Sequence, residues 1–256
     1  MITFTITSCK RLNLFKESVN SFINSCEDLD LISQWICIDD NSSEEDRREM
    51  KTLYPFFNFI FKDKENKGHS RSMNLLLASI RNKFFFQMED DWVFLQKAPY
   101  LSRCLEILKE EKKYGQVVIN RNYAELADCQ HIKIAGGFRK RTSKNNIKYV
   151  LHEHHVRGSK EERDFFQRNP GSTSSCYWPN FSLNPSLVKM EIFKNIGLFY
   201  ENVPHFEMDF AYRYTSSGYR TCFLDGIYVS HIGRQNSERG NIETKNAYEL
   251  NETKQF

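Results

Sequence analysis

The chain has 256 residues, enough for one large domain or two small ones, and its 40% hydrophobic and 27% charged residues suit a soluble globular fold. A net charge of +3, with bases scattered among acids, excludes the dense basic surface of a nucleic-acid partner. No stretch approaches the roughly 18 apolar residues that span a bilayer, and MITFTITSCKRL lacks the order of a signal peptide, so a cytoplasmic protein is expected, with peripheral membrane association left open.

ITFTIT (residues 2 to 7) alternates as a β-strand does, and LNLFKESVNSFINSC places Leu14, Phe15, Val19, Phe22 and Ile23 at helical spacing. QWICIDDNSS reads as a short buried strand that stops at two Asp residues and a polar turn. FNFIFKDKENKGHS gives a third strand and a glycine-containing loop, SRSMNLLLASIRN a helix, and KFFFQMEDDW a fourth strand. This alternation predicts an α/β fold with a mostly parallel central sheet and helices on both faces.

Further on, YLSRCLEILKEEKKYG predicts a helix and GQVVINRNY a strand. From Leu126 to Ser175 the pattern weakens and irregular structure is expected, including the basic run FRKRTSK and the histidine-rich VLHEHHVRGS. His152, Glu153, His154 and His155 lack HExxH spacing and a nearby Cys pair, so a polar loop is expected rather than a zinc site. HFEMDFAYRYTSSGYR predicts a helix ended by Gly218, and CFLDGIYVSHIG a last strand. One domain over residues 1–235 follows, with halves at 1–95 and 96–235 and a polar tail over 236–256. The seven cysteines form no CxxC pair, which fits buried, reduced thiols.

Ligands of open α/β sheets bind beyond the carboxyl ends of the strands. Those ends hold Thr7–Arg11, Asp39–Ser42, Asn66–Arg71 and Glu89–Asp91, all polar or charged. In FFFQMEDDW an apolar strand runs into three carboxylates. Two charges about 4 Å apart repel by roughly 4 kcal/mol at an effective dielectric near 20, so a cation is required there. A solvated turn is the plain reading of such a triplet. The buried lead-in and Trp92 favour a site for Mg2+ or Mn2+, which take oxygen ligands and bridge phosphates.

With these motifs in this order, the chain resembles the GT-A glycosyltransferases, in particular the inverting nucleotide-sugar-dependent group. EDDW resembles their DxD-type metal motif in an EDD variant, which implies Asp91 as the main metal contact, Glu89 in the first acidic position and Asp90 beside the nucleotide. ICIDDNSSEED resembles the strand whose first Asp pairs with the imide of uracil, implying Asp39 on the base, with Asp40 and Ser42 shaping the turn. TSCKR implies Thr7 and Ser8 near the base and Arg11 near the diphosphate. NKGHSRSMN resembles the N-x-G segment without its usual Arg, and Arg71 lies one helical turn away from that place. HFEMDFAYR resembles the stretch supplying the catalytic base, implying Glu207 in that role, Asp209 as the second acid and Arg213 beneath, although a Glu stands where an Asp is usual. His231 in SHIG is a structural residue or completes the metal shell. Trp178 and Asn180 contact a sugar or acceptor, or pack in the core.

The resemblance implies a metal-dependent transfer from a nucleoside diphosphate sugar, UDP-linked, to a hydroxyl of a glycan, lipid-linked sugar or protein. Two rivals stay open: a nucleotidyltransferase, which would usually carry a Gly-rich phosphate loop that TSCKRLN lacks, and a non-catalytic nucleotide-sugar-binding module.

Overall fold

The computed structural model describes residues 1–123, 127, 134–169, 178–203, 205–233 and 250–251. Its first half runs β1 (Ile2–Ser8), α1 (Leu12–Ser25), β2 (Ile32–Asp40), α2 (Glu44–Leu53), β3 (Asn58–Lys62), α3 (His69–Ser79) and β4 (Phe84–Glu89). There β1 lies parallel to β2 and β4, and β2 parallel to β3. The second half adds β5 (Trp92–Phe94), α4 (Tyr100–Glu110), β6 (Tyr114–Val118), β7 (Gly136–Thr142), β8 (Lys148–His154) and α5 (Lys160–Arg168). It ends with β9 (Ser186–Lys189), α6 (Glu191–Ile196), α7 (Phe206–Ser216), β10 (Arg220–Leu224) and β11 (Val229–His231). Nine strands form one sheet in the order β3-β2-β1-β4-β9-β6-β10-β8-β7, and β5 pairs with β11 outside it.

The triple Phe follows from burial on both faces of the sheet, because successive side chains of a strand point to opposite sides. Phe86 joins Phe4, Phe15 and Phe22 in the core beneath α1 and α4, with its ring 5.3 Å from that of Phe22. Phe85 joins Met73, Leu76, Phe193 and Phe210 in the core beneath α3, α6 and α7. The sheet is thus clamped on two sides, and its strand ends are held rigidly at the edge where the polar residues gather.

Three expectations need correction. The strand between residues 126 and 175 is real where irregular structure was expected: GGFRKRT forms β7, antiparallel to β8, and His152 and His154 lie on β8 rather than in a polar loop. This edge strand is exposed on both faces from Phe138 to Thr142, so it carries no apolar alternation and its basic residues hid it. Gly136 begins this pair at φ 140°, where an added Cβ would lie 1.8 Å from the Glu153 carbonyl oxygen. Helix α2 was unforeseen, although Ser43 caps it by accepting from the Asp46 N–H. The single last strand divides into β10 and β11 around Asp225 and Gly226.

Cys9, Cys26, Cys37, Cys104 and Cys222 are buried free thiols; Cys129 and Cys176 lie outside the described residues. The expected tail over 236–256 also lies outside them, apart from Leu250 and Asn251. Among the described residues no helix is long and apolar enough to cross a membrane.

Candidate active site

β4 ends at Glu89, the chain turns through Asp90 and Asp91, and Trp92 opens β5 opposite His231 of β11. The turn sends the three carboxylates in different directions, which relieves much of their repulsion. Asp90 faces back to the exit of β1, where it accepts from the Ser8 hydroxyl at 2.9 Å and the Cys9 N–H at 3.2 Å. Asp91 faces β11, with Oδ2 3.2 Å from His231 Nε2. Arg11, just before α1, bridges both: one Nη ion-pairs with Asp90, and Nη1 lies 2.7 Å from Asp91 Oδ2. This guanidinium is the cation that the acidic strand end demands.

Burial works to raise the Asp91 pKa, but Arg11 and the His231 hydrogen bond outweigh it and hold Asp91 well below the usual carboxylate range. Glu89, at the end of the main sheet, is pushed well up, by burial first and then by Asp91 and Glu207. Its Oε1 lies 3.4 Å from Nε2 of His69, the first residue of α3. Burial also pushes His69 down to about 4, so that pair is not an ion pair near neutrality.

Do these residues fit a divalent cation? Asp91 Oδ1 is buried and has no hydrogen-bond partner among the described residues, leaving an acceptor beside a ring nitrogen, a donor set suited to Mn2+. Gly233 packs directly on Asp91: a Cβ there would stand 2.2 Å from Oδ2. Asp91 and His231 therefore fit a cation that takes its remaining ligands from a diphosphate. The expected three-residue shell is not assembled. Among the described residues no group of three His, Cys, Asp or Glu is placed to hold a metal, because the turn after β4 carries Glu89 away toward α3.

The edge expected to hold a nucleotide lies at the ends of β1, β2 and β3. Thr7 and Ser8 are buried at the exit of β1, and Ser42 Oγ accepts from the Lys10 N–H at 2.8 Å. Asp39 is fully buried; its Oδ2 accepts from Arg47 Nε at 2.8 Å and from the Ser42 N–H at 3.1 Å. Asp39 Oδ1 has no hydrogen-bond partner among the described residues. Asp40 pairs with buried Lys62 at 2.9 Å and accepts from the Gly68 N–H. Lys62 also donates to the Gly68 carbonyl and to Ser72, stitching β3 to the start of α3. Leu250 and Asn251 return to this edge: their carbonyls accept from Lys10 at 3.0 Å and Lys67 at 2.6 Å.

Glu207 lies in the first turn of α7, which His205 enters with a left-handed φ of 55°. Its Oε1 accepts from the Leu183 N–H at 2.9 Å, and its carboxyl is pushed up to about 7, mainly by burial. Asp209, two residues on, is instead paired with Arg213 at 2.8 Å, and Arg213 also holds the carbonyls of Ile196 and Leu198.

Three sequence-derived residues have protein partners of their own. Arg71 is not brought to the carboxylates: its Nε donates to Glu201 at 3.0 Å, because two residues past His69 a helix has turned by about 200°. Asn180 is buried, with its side-chain amide donating to Thr215 and its carbonyl accepting from Tyr123, so it braces a loop. Trp178 donates to the Phe181 carbonyl and packs on the core beneath α7. Conversely, Arg47, Lys62 and His69 were not singled out. Lys62 had a signal, a lone charge closing the apolar strand FNFIF; Arg47 needed α2, and His69 needed the tertiary fold.

Residues 3–182 match the family described as Glycosyl transferase family 2. No curated protein matches the chain in sequence. Among solved structures, the mannosyltransferase PcManGT from Pyrobaculum calidifontis, in complex with GDP-Man and Mn2+, is similar at 14% identity and a TM-score of 0.59, over 93% of this chain. GalNAc-T7 with UDP, GalNAc and Mn2+ aligns at 11% identity and 0.60 over 98%, and S. aureus TarS at 12% and 0.57 over 90%. The chain spans 58%, 48% and 36% of those three proteins. At such identities the likeness is one of fold.

Proposed function

The chain belongs to glycosyl transferase family 2 and has the GT-A fold, and we propose on that premise that it moves a sugar from a nucleoside diphosphate sugar to an acceptor hydroxyl, with inversion. One observation carries the reading. Buried Asp91, with an orphan oxygen and half-buried His231 beside it, lies on the turn after Glu89, and Glu89 is within electrostatic reach of Glu207, a carboxyl raised to about 7.

The roles follow from the chemistry at each atom. Glu207 takes the proton from the acceptor O–H as that oxygen bonds to the anomeric carbon, and the bond from that carbon to the diphosphate oxygen breaks with its electron pair. General-base help of this kind is worth about 10² to 10⁴-fold, and a base with a pKa near the working pH serves best. The Leu183 N–H fixes the direction of the Glu207 carboxylate. Asp91 and His231 would hold a divalent cation, Mn2+ or Mg2+, which would supply charge against the departing diphosphate. Arg11 holds Asp91 ionised for that purpose and adds fixed positive charge. Asp39 Oδ1, buried and without a partner, suits the imide N–H of uracil, which favours a UDP-sugar. The acceptor hydroxyl belongs to a glycan, a lipid-linked sugar or a protein.

The test is a thermal-shift panel of nucleotide sugars with and without Mn2+, followed by product analysis. A ligand at 100 times its Kd stabilises by about 2.7 kcal/mol. A metal-dependent shift with one donor and release of nucleoside diphosphate support the proposal. Release of pyrophosphate would make the protein a nucleotidyltransferase, and binding without turnover across an acceptor library would make it a binding module.

A further inference from the structure

Arg47 lies on α2, away from the acidic strand end, and the roles above do not use it. Its Nε donates to Asp39 Oδ2 at 2.8 Å, Nη1 reaches Glu44 at 3.2 Å, and Nη2 donates to the Lys62 carbonyl at the end of β3. The guanidinium also lies over the Phe61 ring, 5.0 Å from its centroid. A planar fork held at these points has one orientation, and it imposes one on the carboxylate it binds. The Ser42 N–H adds a second donor to the same Oδ2 at 3.1 Å. Both protein donors therefore converge on one oxygen of a fully buried carboxylate and leave the other without a partner among the described residues.

We propose that Arg47 is a positioning residue that sets nucleobase selectivity: it keeps Asp39 ionised and turned so that only Oδ1 faces the base, as a pure acceptor. The inference rests on the reading of Asp39 as the base-contacting residue. Its chemical consequence is sharp. Uracil presents an N–H at ring position N3, which an acceptor takes, whereas cytosine presents a bare nitrogen there, which an acceptor repels. Burial raises the Asp39 carboxyl, and Ser42 and Arg47 are what oppose that rise. Without Arg47 the carboxylate is no longer held in one orientation, and burial is opposed by Ser42 alone, which shifts the balance toward the protonated form, a donor that suits cytosine. The Cys9 thiol at the β1 exit and the Cys37 thiol on β2 also feel the Asp39 charge, and both are pushed up, by burial first.

The experiment is calorimetric titration of UDP and CDP, each with Mn2+, into the whole chain and its Arg47→Ala, Arg47→Lys and Asp39→Asn variants. The unaltered protein is expected to favour UDP by about tenfold or more, the scale of one well-placed base contact. Arg47→Ala should lower the UDP-to-CDP ratio by about tenfold or more, and further at pH 6 than at pH 8. Arg47→Lys, which keeps the charge and loses the fork, should fall between, and it carries the test if the alanine variant does not fold. A purely structural Arg47 would weaken both nucleotides alike and leave the ratio unchanged. An unchanged ratio in both Arg47 variants, with a collapsed one in Asp39→Asn, overturns the role of Arg47. A ratio unmoved even by Asp39→Asn overturns the base-contact reading beneath it.

Discussion

Replacing Glu207 by Gln separates the chemistry of this site from its stability. Gln keeps the carbonyl oxygen that accepts from the Leu183 N–H at 2.9 Å, so the local geometry survives while the base is lost. Turnover should fall by about 10² to 10⁴-fold with donor binding retained. In the unaltered enzyme the carboxyl is raised from 4.5 to about 7, chiefly by burial. The basic form therefore accumulates as pH rises, and kcat should climb through about pH 7 and level off above it.

The same shift has a stability side whose sign is fixed by linkage. The native state holds the Glu207 proton more tightly than the unfolded chain does, so the associated stability is full below about pH 4.5 and is lost as pH rises through about 7. At about 1.4 kcal/mol per unit, the loss amounts to roughly 3 kcal/mol by pH 8. Glu207→Gln has no such loss. The variant should match the parent near pH 4.5 and exceed it by roughly 3 kcal/mol at pH 8, about 6–12 °C in Tm for a chain of this size. Thermal melts at pH 5 and 8, beside a pH profile of kcat, read both effects. A kcat that is flat from about pH 5.5 to 8.5, or a variant that turns over normally, would refute the assignment.

Asp91→Asn should abolish measurable Mn2+ binding by titration and destabilise the fold by about 3 kcal/mol, since it leaves Arg11 under-compensated in a buried place; normal Mn2+ affinity would remove Asp91 from the metal. Arg11→Ala and Arg71→Ala should differ widely in urea unfolding. Arg11 neutralises two buried carboxylates and its loss should cost about 3–5 kcal/mol, whereas Arg71, 41% exposed and paired with Glu201, should cost under about 1 kcal/mol and leave the donor KM unchanged. Gly233→Ala brings a methyl to 2.2 Å from Asp91 Oδ2, and turnover should drop about 10²-fold while circular dichroism stays native; full activity would show that Asp91 has room to move.

The parts of this architecture that sequence displayed are those where one physical demand left one pattern. An apolar strand ending in three carboxylates required a nearby cation, and Arg11 is bonded to two of them. Buried strands separated by amphipathic helices required a layered sheet, and α1, α3 and α4 lie where their spacing put them. What stayed hidden depends on partners far along the chain. The edge strand β7 carries Arg139, Lys140 and Arg141, which read as a basic loop until β8 supplies the pairing. Arg71 and His69 are two residues apart, and only the packing of α3 tells which of them faces the acids. Asn180 reads in sequence as a sugar contact or a core residue, and its left-handed backbone and its bonds to Thr215 and Tyr123 tie it into the loop before β9.

The choice of base between two acids on α7 shows why charge compensation, more than motif position, sorts this site. Asp39, Asp40, Asp90 and Asp91 each hold an Arg or Lys at bonding distance. In Asp91 that partner, together with His231, outweighs burial and holds the carboxyl low, whereas burial raises Asp90 to about 6 despite Arg11. Asp209 is paired in the same way, with Arg213. Among the described residues Glu89 and Glu207 have neither Arg nor Lys within ion-pair distance, and both are raised by burial. Glu89 faces His69 and is raised by burial, then by Asp91 and Glu207. Glu207, lifted to about 7 chiefly by burial and held by the Leu183 N–H and the Ser182 side chain, is therefore the carboxyl we propose as the base.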